Sequence, residues 1–349
     1  MKVGIITLPF EANYGWAVQM WALYHTIESL GHEPVIINRK WNTQDNRLST
    51  RFKRSIYYNI ICRRFKRFVD NEFQSMTKVV RTKEETSKVA ESFDAVITGS
   101  DQVWRIENTR LAGFDFFLDF VSNAKTKRIS YAASFGKDTW QGSPEETTKV
   151  KDLLQRFDYV SVREDTGVNL CSQLFNVHAN HVIDPTLLLD SKDYNSILGE
   201  PTENRELVTY ILDSTEEKKS LIKSIAIKHS LSTVNLYPES MYSYYKSVYT
   251  WLEKIRDARY VIIDSFHGMV FSILFSKQFV VLANEKRGLT RFTSLLGLLG
   301  LENRITTSLN STVINTILEE PIDYVPVMQK IKEARKESLN FLKSSLQTR

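Results

Sequence analysis

Short apolar runs alternate with amphipathic stretches along most of this chain. Val3–Thr7 is a run rich in β-branched residues, and Tyr14–Leu30 carries apolar side chains at helical spacing. Gly31 is placed to end that helix at its C′ position. Glu33–Asn38 reads as the next strand. A basic segment then interrupts the pattern, which resumes at Asp94–Thr98, Arg128–Ala133, Tyr159–Arg163 and His181–Asp184. A second series begins with a strand at Leu207–Leu212 and a helix at Glu216–Lys228. It continues with Thr233–Leu236 (strand), Thr250–Ala258 (helix), Tyr260–Asp264 (strand), Gly268–Phe275 (helix), Phe279–Leu282 (strand) and Arg291–Leu299 (helix). Val327–Leu346 has helical spacing and either crosses back over the protein or extends the second series.

Strand–helix alternation of this kind predicts α/β architecture, with parallel sheets covered on both faces. The two series predict two doubly wound Rossmann-like domains, at 1–189 and 207–349. Residues 190–206 join them, and Asp190, Lys192, Asp193, Gly199, Pro201 and Asn204 there are linker chemistry. A length of 349 residues suits two domains at roughly 100–200 residues each. Ligands of open parallel sheets bind beyond the carboxyl ends of the strands, so the expected site is the cleft between the domains.

Composition narrows the class. With 42% hydrophobic and 25% charged residues, the chain has the balance of a globular protein. No apolar run is long enough to span a bilayer, and MKVGIITLPF reads as a first strand rather than a signal peptide. Two cysteines, Cys62 and Cys171, cannot build a disulfide framework, so a reducing, cytoplasmic setting is expected. The net charge of +5 favours an anionic ligand or surface, and no motif directs it to nucleic acid.

The sharpest candidate chemistry is Asp264-Ser265-Phe266-His267-Gly268, between an apolar strand and a helix. Asp264 and Ser265 stand at the N-cap, where free N–H groups suit a phosphate or carboxylate. Gly268 would admit a ligand close to the backbone, and His267 adds an acid or donor near neutral pH. Arg163 also ends a strand and can grip an anion bidentately. After the strand Phe279–Leu282 come Lys286, Arg287 and Arg291, further cations at the same sheet edge. In Gly99-Ser100-Asp101-Gln102-Val103-Trp104, Asp101 can accept a proton from a sugar hydroxyl and Trp104 can stack on a sugar face. Ser134, in SYAASFG, is a small residue at a strand end that leaves room for substrate. Asn13 and Tyr14, in the turn after the first strand, complete the expected acceptor side with Ser100. That turn is not a dinucleotide fingerprint, and no Walker A lysine or D-x-D pair is present. His178, His181 and Cys171 lack a second ligand pair, so no metal is expected.

Read in order, NYG (13–15), GSDQVW (99–104), SYAASFG (130–136), SVRE (161–164), DPTLLL (184–189) and DSFHG (264–268) resemble the polysaccharide pyruvyl transferase family, over about residues 3–305. The resemblance implies a GT-B-like arrangement of the two domains. It also implies transfer of pyruvate from phosphoenolpyruvate onto two hydroxyls of one sugar as a ketal, with phosphate released and no cofactor needed. In that family the histidine of SFHG and the arginine of SVRE handle the donor, which implies His267 and Arg163 here. His267 is then the candidate catalytic acid or phosphate anchor, with Ser265 on phosphate and Asp101 positioning the acceptor or acting as base.

Residues 39–68 interleave arginines and lysines with Phe52, Tyr57, Tyr58, Phe65 and Phe68. From Arg51 to Phe68 this reads as a basic amphipathic helix, suited to an anionic membrane surface and to a lipid-pyrophosphate-linked acceptor. Two other readings stand beside pyruvyl transfer, a GT-B nucleotide-sugar glycosyltransferase and a non-catalytic carbohydrate-binding protein. The aromatic stretch Tyr237, Tyr242, Tyr244, Tyr245, Tyr249 and Trp251 serves sugar binding or packing equally.

Overall fold

The computed structural model describes residues 1–41, 57–202, 205–238, 244–284 and 288–347, with Tyr58 and Asn59 described as backbone alone. The first sheet holds β1 (Lys2–Ile6), β2 (Glu33–Ile36), β3 (Ala95–Thr98) and β4 (Lys127–Ser130), all parallel, in the order β2-β1-β3-β4. β5 (Ser161–Val162) and β6 (Asn180–His181) pair with each other, and the bridges Ile129–Tyr159 and Ala133–Val162 carry the sheet on to them. The second sheet holds β7 (Glu206–Tyr210), β8 (Ser232–Asn235), β9 (Tyr260–Ile263), β10 (Gln278–Leu282) and β11 (Ile305–Thr306), again parallel, in the order β11-β10-β9-β7-β8. In each sheet the chain steps from its first strand to one edge and then returns to the other side. A topological switch point therefore lies between β1 and β3, and a second between β7 and β9.

The period of two along the inner strands explains how the layers join. Val3, Ile5, Ala95 and Ile97 point to one face of the first sheet, and Val208, Val261, Ile263, Phe279 and Val281 to one face of the second. Both faces feed a single apolar cluster that runs through both domains. The opposite faces feed separate cores, with Ile6 and Val96 in one, and Leu207, Ile262 and Val280 in the other.

The helix Tyr14–Ser29 begins at the N-cap Asn13, whose Oδ1 accepts from the Trp16 amide at 3.2 Å. It ends before Gly31, whose φ of +81° is the left-handed turn that glycine adopts without strain. Of the expected basic helix, residues 51–56 lie outside the described residues. The rest is a π-helical turn at Tyr57–Ile61 followed by a helix at Arg63–Glu72. The apolar side of that helix is spent on the protein itself. Phe65 and Phe68 are buried, 4.8 Å from the Tyr14 ring and 5.3 Å from the Tyr249 ring respectively.

The aromatic stretch packs at the same seam. Trp251 is fully buried and stacks on Tyr14 at 5.1 Å, while Tyr245 lies edge-on to Tyr14 and Phe65. Tyr244 stays exposed, and Tyr242 lies outside the described residues. The final helix, Tyr324–Ser345, starts on the second domain, where the Tyr324 hydroxyl donates to the Lys277 carbonyl. It finishes on the first. Arg335 donates to the carbonyls of Leu187 and Leu189 at 2.7 Å each, Ser338 Oγ accepts from the Ile183 amide, and Lys127 Nζ donates to the Ser345 carbonyl. Of the two courses the sequence left open, the helix takes the crossing.

Candidate active site

The two switch points face each other, and a cavity of about 240 Å³ lies between them. Asn13, Gly15, Asp101, Gln102, Arg105 and Asn108 form its first-domain wall. Tyr210, Leu212, Asp264, Ser265, Phe266, His267, Arg291 and Phe292 form the second. A roomier cleft of about 680 Å³ sits at the opposite edge, beside the amino ends of β7, β9 and β10, where ligands of parallel sheets are not bound. Its Arg256 is spent on Asp257, Asn195 and the carbonyls of Gly199 and Glu200, which ties the linker to the second domain.

β9 (YVII) delivers Asp264 and Ser265 to the cavity edge. Ser265 caps the helix Phe266–Leu274, its Oγ accepting from the Gly268 amide at 3.2 Å. The hydroxyl proton and the amides of Phe266 and His267 remain for an anion. Asp264 is turned inward. Its two oxygens accept from the amides of Leu212 and Asp213, and Lys218 Nζ lies 3.3 Å away, so it fixes the loop after β7. His267 follows in the first turn of the helix and is 6% exposed.

Asp184, after β6, is the hub behind the wall. Its Oδ2 accepts from Arg163 Nη1 at 2.5 Å and Ser100 Oγ at 3.0 Å, and lies 3.5 Å from His267 Nε2. Its Oδ1 accepts from the amide and the hydroxyl of Thr186. Burial alone would raise the Asp184 pKa, but His267, Arg163 and the Thr186 hydroxyl outweigh it and hold the carboxyl well below the usual range. Arg163 is also buried. Asp184, Asp101 and Glu164 overcome the burial that would lower its pKa, and raise it. Its guanidinium lies 4.6 Å from the Phe266 ring centroid, on which Arg291 also sits at 5.6 Å. Burial, with Arg163 nearby, brings Arg291 down to about 10. One buried guanidinium group and an imidazole thus line one small cavity, with a second buried guanidinium behind its wall, a setting that favours an anionic ligand.

The expected residues are distributed unevenly around this cavity. Asn13, Asp101, Ser265, His267 and Arg291 line it. Asp101 holds a φ of +84°, a conformation rare outside glycine, and its Oδ1 accepts from the Gln102 amide at 2.8 Å and stands 3.9 Å from Arg163 Nη2. Lys286 and Arg287 lie outside the described residues. Arg163 stands behind the wall, and its Nε and Nη2 are buried without a hydrogen-bond partner.

Five expectations need correction. Trp104 is fully buried, stacked on Phe117 at 5.6 Å and donating to the Phe116 carbonyl, so it presents no face to a sugar. Tyr14 is fully buried and gives its hydroxyl to the Lys246 carbonyl, so it joins the domains rather than binding acceptor. Ser100 is spent on Asp184, and Ser134 on Glu164 Oε1 at 2.9 Å. Gly268 is buried against β9, where an added Cβ would lie 3.1 Å from Ile263 Cγ2, so its small size serves helix–strand packing and not ligand approach.

Among the residues in or behind this wall that the sequence did not mark as functional, Asp184, Glu164, Arg105 and Gly15 matter most to the geometry. Asp184 stood in the DPTLLL string with no role attached. Glu164 Oε1 gathers Ser134 Oγ and the amides of Phe135 and Gly136, fixing that turn. Arg105 supplies a cation to the first-domain wall. Gly15 lies against His267, and a Cβ there would sit 2.3 Å from Nδ1. An acidic residue ending a strand before proline was the available signal for Asp184; nothing local marks the other three.

The lowered Asp184 pKa has a sign that can be checked. A carboxylate depressed in the folded state contributes stability above its unfolded pKa of about 3.9, and that contribution declines as pH falls below this value. Urea unfolding is therefore expected to show the native protein losing stability more steeply below about pH 4 than Asp184→Asn does. Parallel slopes would contradict the assignment.

The family model for polysaccharide pyruvyl transferase matches residues 13–286, which takes in every wall of this cavity except Arg291 and Phe292. A search of the curated proteins found no significant match. Among solved structures, UDP-GlcNAc 2-epimerase from Neisseria meningitidis bound to UDP-GlcNAc is similar at TM-score 0.57 and 11% identity, over 98% of this chain and 99% of that one. UDP-GlcNAc 2-epimerase from Methanocaldococcus jannaschii follows at 0.54 and 11%, over 93% of each. Arabidopsis thaliana UGT89C1 complexed with UDP follows at 0.52 and 11%, over 99% of each. At such identities the likeness is one of fold, and it is the GT-B arrangement of two Rossmann-like domains that the resemblance implied. Since the family model spans both domains and the cleft between them, the chain belongs to the polysaccharide pyruvyl transferase family.

Proposed function

We propose that this protein takes phosphoenolpyruvate as donor and builds a pyruvate ketal on a sugar of a polysaccharide or of its lipid-linked precursor. The observation that carries the reading is the meeting of His267, the Ser265-capped helix N-terminus and Arg291 at one cavity, with Arg163 immediately behind. The donor bears a phosphate and a carboxylate. A helix N-terminus and guanidinium groups are natural hosts for both. The two donors of Arg163 that lack partners would be satisfied by an anion reaching past Asp101.

Chemically, His267 gives a proton to C3 of the enol, and positive character develops at C2. One sugar hydroxyl adds to C2 and loses its proton to Asp101. The second hydroxyl then forms the other C2–O bond as the C2–O bond to phosphate breaks, its proton leaving with the phosphate, and C3 ends as a methyl group. Asn13, Gln102 and Asn108 offer the acceptor side its hydrogen bonds.

The competing reading is glycosyl transfer from a nucleotide sugar, which the shared fold of the UDP-bound structures keeps open. A thermal shift with phosphoenolpyruvate beside UDP-sugars separates the two. A ligand at 100 times its Kd adds about 2.7 kcal/mol to the native state. Stabilisation by phosphoenolpyruvate, lost in His267→Ala, supports pyruvyl transfer; stabilisation by a UDP-sugar alone overturns it.

Among the described residues no helix is long and apolar enough to cross a membrane. With Phe65 and Phe68 buried, membrane contact at Arg63–Glu72 would rest on charge, through exposed Arg63, Arg64, Lys66 and Arg67. Each such cation near an anionic surface contributes about 1 kcal/mol. Flotation with phosphatidylserine vesicles is expected to be salt-sensitive and to fall in Arg63→Glu/Arg67→Glu. Absence of binding at low salt removes membrane contact from the proposal.

A further inference from the structure

Asp184 is a buried carboxylate that touches no substrate in the reaction just described, yet it holds groups from both sides of the cleft. We infer that Asp184 and His267 work as a dyad across the domain boundary, in which the carboxylate secures the imidazole at Nε2 and leaves Nδ1, beside Gly15, as the nitrogen that exchanges a proton with substrate. The inference rests on the reading of His267 as proton donor.

Geometry assigns the two nitrogens. Nε2 is buried, makes no hydrogen bond and has Asp184 Oδ2 at 3.5 Å. That separation exceeds a formed N–H···O bond, and catalytic hydrogen bonds of this kind tighten once substrate is in place. Nδ1 lies on the other side of the ring, against the Gly15 backbone, and Gly15 and His267 both line the cavity. A side chain at position 15 would occupy the space Nδ1 needs, which gives the glycine of NYG a reason beyond the turn.

The carboxylate itself cannot swing away. Thr186 holds Oδ1 through its amide and hydroxyl, while Ser100 and Arg163 hold Oδ2. It stays ionised, because burial is outweighed by the surrounding donors and cations. The other charged groups around the ring are Asp101 and Arg105 from the segment after β3, Arg163 after β5, Asp264 at the end of β9, and Arg291 from the helix Thr290–Leu299. The helix Tyr14–Ser29 presents its N-terminus to the ring at Gly15.

The proton inventory closes. Nδ1–H delivers its proton to C3, and the neutral ring keeps Nε2–H facing Asp184. The first hydroxyl proton goes to Asp101 and the second leaves with phosphate. After the product leaves, Asp101 returns its proton to solvent and Nδ1 recovers one. Asp184 is thus a positioning residue and takes up no proton. The substitution Asp184→Asn would offer an NH₂ or a weaker acceptor in place of the carboxylate and favour the wrong tautomer, a change that costs about 10⁴-fold in an Asp–His pair of a serine protease.

The test reads the dyad with and without turnover. In ¹⁵N-histidine-labelled native protein, long-range ¹⁵N–¹H spectra should show neutral His267 protonated at Nε2, assigned by its loss in His267→Gln. In Asp184→Asn, kcat with phosphoenolpyruvate and acceptor should fall by about 10²–10⁴-fold. The limb on which activity falls as pH rises should move to lower pH, with less change in donor Kd than in kcat. Gly15→Ala should likewise lower kcat while the protein stays folded. A neutral ring protonated at Nδ1 overturns the dyad, as does an unmoved pH limb in a folded Asp184→Asn protein. The nitrogen spectrum needs no substrate, so failure of the dyad is distinguishable from failure of the pyruvyl-transfer reading.

Discussion

His267→Ala is expected to lower turnover by about 10²–10⁴-fold, the range a positioned acid supplies. Its stability should fall by only about 1–2 kcal/mol. The small second number follows from the surroundings. Removing the imidazole leaves Asp184 with Arg163, Ser100 and Thr186 still bonded to it, so no buried charge is orphaned. The large first number follows from the position of the ring on the cavity wall, in the first turn of a capped helix. Steady-state rates and urea unfolding on the same preparation check both. Turnover within threefold of native would remove His267 from the chemistry.

Arg163→Ala should behave in the opposite way. Arg163 and Asp184 have side chains 2% and 0% exposed, with a charge-assisted bond of 2.5 Å between them. Breaking such a pair from one side leaves a buried carboxylate short of its main partner, which costs about 3–5 kcal/mol. Urea unfolding should show that loss, and adding Asp184→Asn to Arg163→Ala should return part of it, because the orphaned charge is gone. Phosphoenolpyruvate should no longer stabilise the variant. Since destabilisation alone could account for lost activity here, His267→Ala is the cleaner test of catalysis and Arg163→Ala of architecture. A change in stability below about 1 kcal/mol would contradict the buried pair.

These two residues were legible in the sequence because each closely follows an apolar run, and strand ends in parallel sheets face the ligand edge. The strands were legible for a related reason. Runs such as YVII are buried on both faces and so read as continuous apolar segments, as β9 shows. What lies next to a strand end is harder, because a turn can aim a side chain at the cleft or back into the fold. Asp101 and Trp104 share one string, yet the first lines the cavity while the second is stacked on Phe117. Ser134 was read as space for substrate and Ser100 as an acceptor residue, and they instead anchor Glu164 and Asp184, contacts across 30 and 84 residues of chain. The same limit hid Asp184, whose meaning lies in Arg163 and His267 on two different domains. In Gly15 the signal was an absent side chain, and only the tertiary contact with Nδ1 shows what the absence accommodates. For the helix Arg63–Glu72, periodicity revealed an apolar face but not that Tyr14 and Tyr249 cover it.

The most direct measurement is a single incubation of the protein with phosphoenolpyruvate ¹³C-labelled at C2 and a panel of sugar acceptors, followed by NMR and a phosphate assay. The account predicts phosphate release in step with a new ketal carbon on one sugar, abolished in His267→Ala. Transfer from a UDP-sugar in the same panel, with no ketal formed from phosphoenolpyruvate on any acceptor, would contradict it.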